Sequence, residues 1–157
     1  MGTLYQYFPG KEALLYALVG RGLDRAATAV EAACQMSGHL SLEKCSDAFV
    51  NAYIDAKTGD PDTSRALYHA SAELNIKDLS DKLIDRLHRA ARGLLLCARD
   101  SRFEDIDGVV FSWVAVVTGG TRQIFDQEGT VARLPIFREQ LLKMSRAYLK
   151  AVKDRLS

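Results

Sequence analysis

Proline is scarce, with only three residues in 157, at positions 9, 61 and 135. The stretches between them lack helix breakers, and their apolar residues recur every three or four positions rather than every two. Cysteine is equally scarce. Cys34, Cys45 and Cys97 are odd in number, far apart and without CxxC spacing, which speaks against a disulfide framework and reads as small buried groups in a reducing compartment. An excess of one charge is missing too. The 21 Lys and Arg stand against 20 Asp and Glu, a formal net charge of +1, so no global field draws the chain toward nucleic acid or membrane, and any DNA contact has to come from a local patch. The longest apolar run, Val109 to Val117, is interrupted at Ser112 and falls short of the roughly 18 residues a membrane span needs. No basic-then-apolar leader opens the chain, so a cytoplasmic protein without membrane contact is expected.

Catalytic signatures are also lacking. There is no GxSxG, Walker, dinucleotide or paired-histidine motif, and Gly119-Gly120 falls inside a helical stretch rather than after a strand. His69 and Glu73 are one helical turn apart, but two groups fall short of the usual three or four metal ligands. The chain is not expected to be an enzyme or to carry a cofactor or metal. The arginines at 86, 89, 92 and 99 alternate with acids and alanines, the pattern of a solvated helix face.

What is present is helical patterning over a chain that is 48% hydrophobic, enough for one well-buried all-α bundle. Leu15, Val19, Leu23, Ala27, Val30 and Cys34 line one face of a long helix from about Lys11 to Met36, with Gly10 as its N-cap. Ser41 caps a second helix that closes at Thr58-Gly59. Asp60-Pro61-Asp62 opens a short third helix reaching Leu74, and a fourth runs from about Ile76 to Ala98. Acids at 104, 105 and 107 open a fifth helix, apolar nearly all round through Val117, and a last helix is expected from near Pro135.

Residues 2–18, GTLYQYFPGKEALLYAL, carry the most specific signal. Hydroxyl donors and aromatics at Thr3, Tyr5 and Tyr7 precede a lysine at a helix start, a set of groups suited to gripping a phosphate backbone. The string resembles the recognition helix and following helix of the tetracycline-repressor family of transcription regulators. By that resemblance Thr3, Tyr5, Tyr7 and Lys11 match phosphate-contacting positions, and Gly2 and Gln6 match positions near the base edges. Leu4 and Phe8 match residues packed against the two earlier helices of the family's three-helix head. Residues 1–10 are then a remnant of that head, and residues 11–157 a ligand-binding and dimerising body. An isolated helix of two turns is marginal in water, so these residues alone are expected not to bind an operator.

The resemblance further implies a ligand-responsive repressor that pairs as a homodimer through its last two helices. The fifth helix, apolar on more faces than a small bundle covers, supports that independently. Phe111, Val114, Val117, Phe137, Leu141 and Tyr148 are the expected interface residues. The family's middle helices enclose an apolar effector cavity, whose candidate lining here is Phe49, Tyr53, Tyr68, His69, Leu87, Ala91, Cys97, Trp113 and Phe125, a mixture suited to a small hydrophobic or aromatic effector. Each of these is also compatible with ordinary core packing. A helical dimerisation or ligand-binding module with no DNA role is the alternative reading.

Overall fold

The computed structural model describes residues 10–59, 64, 66, 68–69, 71–72, 74–125 and 130–154. Five helices are bounded among them, α1 Lys11–Ser37, α2 Leu42–Thr58, α3 Lys77–Cys97, α4 Ile106–Phe125 and α5 Thr130–Val152. Described residues between 64 and 72 are helical as well, and no described residue lies in a strand. The fold is all-α.

Gly10 takes the N-cap of α1, and the N–H of Leu14 reaches its carbonyl at 2.6 Å. The helix ends at Ser37, beyond which His39 adopts a left-handed conformation (φ 70°) that reverses the chain into α2. Ser41 holds the N-cap position of α2, but its hydroxyl makes no capping bond. The carboxylate of Asp100, from the connection after α3, accepts the Leu42 N–H at 2.7 Å instead, a charge-assisted bond stronger than a hydroxyl would give. Two backbone bonds close the same corner: His39 N–H to Cys97 O at 3.2 Å, and Arg99 N–H to Leu40 O at 3.0 Å. The connection also receives α5, through Asp154 N–H to Arg102 O at 2.9 Å.

The start of α5 departs from expectation. It begins at Thr130, not near Pro135, which lies inside it. A proline in the second turn forfeits one hydrogen bond, and with its ring exposed on the surface the helix absorbs that loss rather than breaking.

α2 is the central element, packing on α1 and α5 along its length and touching α3 and α4. Its fully buried residues Cys45, Phe49, Val50 and Ile54 form one core with Val30 and Ala27 of α1, Leu87, Ala91 and Leu95 of α3, Trp113 and Val117 of α4, and Leu141 and Leu149 of α5. Ion pairs fix the direction of α5 against α2. Arg146 grips Asp47 at 2.6 Å near one end, while Arg138 bonds Asn51 at 2.9 Å and pairs with Asp55 near the other, so the two helices are antiparallel. At Gly120 a Cβ would stand 3.4 Å from the Phe137 ring, the close approach that brings α4 and α5 together as an antiparallel hairpin.

Candidate functional site

Three places on this scaffold have functional geometry. The first joins α1 to α3. Arg86 extends from α3 and bonds Glu31 through Nε at 2.8 Å and Nη2 at 2.6 Å, Thr28 at 3.0 Å, and Asp24 through Nη1. One guanidinium thus engages three residues spread over two turns of α1, the forked geometry that lysine cannot reproduce. The Arg86 hydrogen bonds hold the Glu31 carboxyl below the usual glutamate range. The expectation of a merely solvated arginine face fails at this residue, whereas Arg92 stays exposed and pairs on the surface with Asp107 at 2.8 Å. Beside the clamp lies a cleft of about 330 Å³, floored by Leu23, Ala27, Leu79 and Leu83 and rimmed by Lys82 and Arg89. None of the residues expected to line a sensing cavity lines this cleft.

The second place is the core between α2 and α4. Phe49 and Trp113 stack at 4.6 Å between ring centroids, tilted by 39°. Tyr53, Leu87 and Ala91 are buried with them. Burial pushes the Tyr53 hydroxyl well above the usual tyrosine range. The ring N–H of Trp113 is buried and finds no acceptor among the described residues. Toward the far end of α2, Tyr68 is partly buried, with the exposed His69 edge-on at 6.2 Å. Arg122 of α4 donates to the Tyr68 hydroxyl at 3.1 Å and lies 5.6 Å from its ring centroid, within cation–π range. Cys97 is not with this group. It is exposed at the end of α3, its Cβ close to where a side chain at Gly38 would stand, because the helix has by then turned toward the α1–α2 corner. The Phe125 side chain lies outside the described residues. Cys34 and Cys45 stay protonated, with burial pushing Cys34 up to about 12 and Cys45 also upward.

The third place is the outer face of the α4–α5 hairpin. Phe111 is 65% exposed and Val116 54% on α4, while Ile136 is 65% and Met144 52% exposed on α5. Small residues Ala115, Gly119, Ala132 and Ala147 share the exposed surface of these helices. Isolated exposed hydrophobics are ordinary, and four on two adjacent helices make this the most apolar exposed part of the described hairpin.

Residues 41–149 match the family described as tetracyclin repressor-like, C-terminal domain. The chain belongs to the tetracycline-repressor family. Its members' domains are regulators rather than enzymes. No curated protein and no solved structure matches the chain. The match begins at the N-cap of α2 and runs almost to the end of α5, so it takes in the α4–α5 hairpin and most of the core, while α1 with its core residues Ala27 and Val30 lies outside it.

Within this TetR-family body the expected pairing residues divide. Phe111 is exposed, and Phe137 and Tyr148 are partly buried. Val114, Val117 and Leu141 are 0–1% exposed inside the chain's own core. Those three side chains pack inside the monomer and are not on its surface. Val116, Ile136 and Met144 are large apolar residues that face outward on the same two helices. Among the DNA-contact candidates, Lys11 is exposed at the first position of α1, while Gly2, Thr3, Tyr5, Gln6 and Tyr7 lie outside the described residues. No group of three metal-ligating side chains occurs among the described residues, and no described helix is long and apolar enough to cross a membrane.

Proposed function

We propose that this chain is the sensing and pairing body of a homodimeric transcriptional repressor, in which a small hydrophobic or aromatic effector controls operator binding. The observation that carries the reading is the family match over residues 41–149. The string at residues 2–8, whose residue types suit phosphate and base contacts, supports it. Residues 1–10 belong to the groove-reading head and residues 11–157 form the body. The two copies pair through the outer face of α4 and α5, where Phe111, Val116, Ile136 and Met144 supply the apolar surface. Effector bound between α2 and α4 alters how α3 sits. The Arg86 clamp passes that shift to α1, the helix whose first residue is the phosphate-binding Lys11. A cytoplasmic location suits such a regulator.

Selection from a random DNA pool, followed by gel shift, tests the reading with two proteins: the 157-residue chain, and the same chain fused to the first two helices of a three-helix head. The fused protein is expected to enrich one palindromic sequence and bind it selectively, while the 157-residue chain does not. Failure of the fused protein to select any sequence would favour a dimerisation module with no DNA role.

A further inference from the structure

We infer that Cys97 and Cys45 form a peroxide-responsive thiol pair, in which oxidation of the exposed Cys97 by a hydroperoxide is resolved by Cys45 as a disulfide beside the Ser37–Gly38 peptide. The inference stands on the corner where α1, α2 and α3 meet and is independent of the effector reading.

Three cysteines that are far apart in sequence converge on that corner. Cys34 lies in the last turn of α1, Cys45 in the first turn of α2, and Cys97 at the last position of α3. The Cys45 thiol donates to the Ser37 carbonyl at 3.5 Å and to that of Leu40 at 3.7 Å. Cys97 meets the same turn. Its carbonyl accepts the His39 N–H at 3.2 Å, and its Cβ lies 3.9 Å from where a side chain at Gly38 would begin. The Leu40 carbonyl is a common point, taking the Arg99 N–H at 3.0 Å as well as the Cys45 thiol. One peptide group, Ser37–Gly38, thus touches Cys45 through its oxygen and faces Cys97 through its glycine. Gly38 has φ −54° and ψ 142°, extended backbone that any residue adopts. What the glycine contributes is therefore open side-chain space next to Cys97, not conformational freedom.

The two thiols differ in access. Cys97 is exposed, whereas Cys45 is fully buried. Burial, reinforced by the charge of Asp100, pushes the Cys45 thiol above the usual cysteine range, so a dissolved oxidant meets Cys97 first. The Cys97 thiolate attacks the peroxide oxygen, the O–O bond breaks, and the sulfur becomes a sulfenic acid while an alcohol leaves. The Cys45 sulfur then attacks the Cys97 sulfur. The S–S bond forms, the S–O bond breaks, and the departing hydroxide takes the Cys45 proton as water. Two thiols are oxidised and one hydroperoxide is reduced. Releasing the Cys45 thiol strands neither carbonyl, because Ser37 keeps the Leu40 N–H at 3.3 Å and Leu40 keeps that of Arg99. Cys34 is buried too, its thiol pushed up to about 12, and offers no exposed group on which the sequence could start. No three side chains able to hold a metal gather among the described residues, so the thiols act as a redox pair and not as ligands. In a reducing compartment such a bond is transient, as a switch requires.

Titration of the 157-residue chain with cumene hydroperoxide, followed by alkylation in denaturant and peptide mass mapping, tests this. Two of the three thiols are expected to be lost to the alkylating agent, at the mass of a single chain less two hydrogens. The cross-link is expected to join Cys45 to Cys97 and to be reversed by dithiothreitol. Cys34→Ser is expected to leave that loss unchanged, and Cys97→Ser to abolish it. Gly38→Val fills the space beside Cys97 without removing a thiol, so sulfenic acid at Cys97, trapped with dimedone, is expected to accumulate in it above the parent level. A cross-link between Cys34 and Cys45, a covalent dimer through Cys97, irreversible oxidation of Cys97 alone, or no loss of thiols would each overturn the inference. None of these outcomes bears on DNA binding or on pairing through α4 and α5. Mapping the parent chain needs no variant, so a misfolded substitution would not rescue the idea.

Discussion

Asp100 and Ser41 compete for one job, and only the carboxylate does it. The Leu42 N–H at the start of α2 is held by Asp100 at 2.7 Å, while the Ser41 hydroxyl makes no capping bond. Asp100→Ala is accordingly expected to lower stability by about 1 kcal/mol, and Ser41→Ala by less than about 0.5 kcal/mol, a difference that urea unfolding resolves. The local rule that reads a serine before an apolar run as the cap locates the helix end correctly. It cannot see a partner 58 residues away. The Gly10 cap was legible because everything it needs is within one turn.

The helices themselves were legible from periodicity, and their pairing was not. Three- and four-residue spacing marked α1 to α4 closely, and only α5 began earlier than Pro135 suggested. What periodicity could not supply is the Arg86 clamp, since an arginine on a helix amid acids looks the same whether it meets water or a neighbouring helix. Arg86 is three-quarters covered and bidentate to Glu31. Arg86→Met is expected to cost about 1–2 kcal/mol. A double-mutant cycle with Glu31→Gln should recover a coupling that a solvated pair would lack. The clamp also sets a pH dependence. Glu31 has a folded value depressed by Arg86, so its contribution is complete above the ordinary glutamate range and is lost as pH falls through the lower folded value. Acid titration of unfolding free energy should therefore be shallower in Arg86→Met than in the parent over that acidic window. An unchanged slope would mean that the contact between α1 and α3 is not made in solution.

At the scale of the molecule, the excess apolar surface of α4 was legible, and Phe111 is exposed as expected, but three of the residues expected to present the surface are buried. Val114, Val117 and Leu141 serve the interior, and Val116, Ile136 and Met144 the outside. Neighbouring positions on a helix point about 100° apart, so Val117 and Val116 fall on the core and surface sides of α4. Because Val116 and Ile136 make no part of the buried core, Val116→Glu with Ile136→Glu is expected to leave helicity unchanged by circular dichroism and to abolish pairing. Retained pairing would move the interface elsewhere. The surface matters because a regulator whose two heads read one palindrome requires two bodies held at a fixed spacing. Sedimentation equilibrium of the parent chain at micromolar concentration is the most direct measurement: a mass twice the 17.4 kDa of the chain is expected, and a single species at the monomer mass would contradict pairing through α4 and α5.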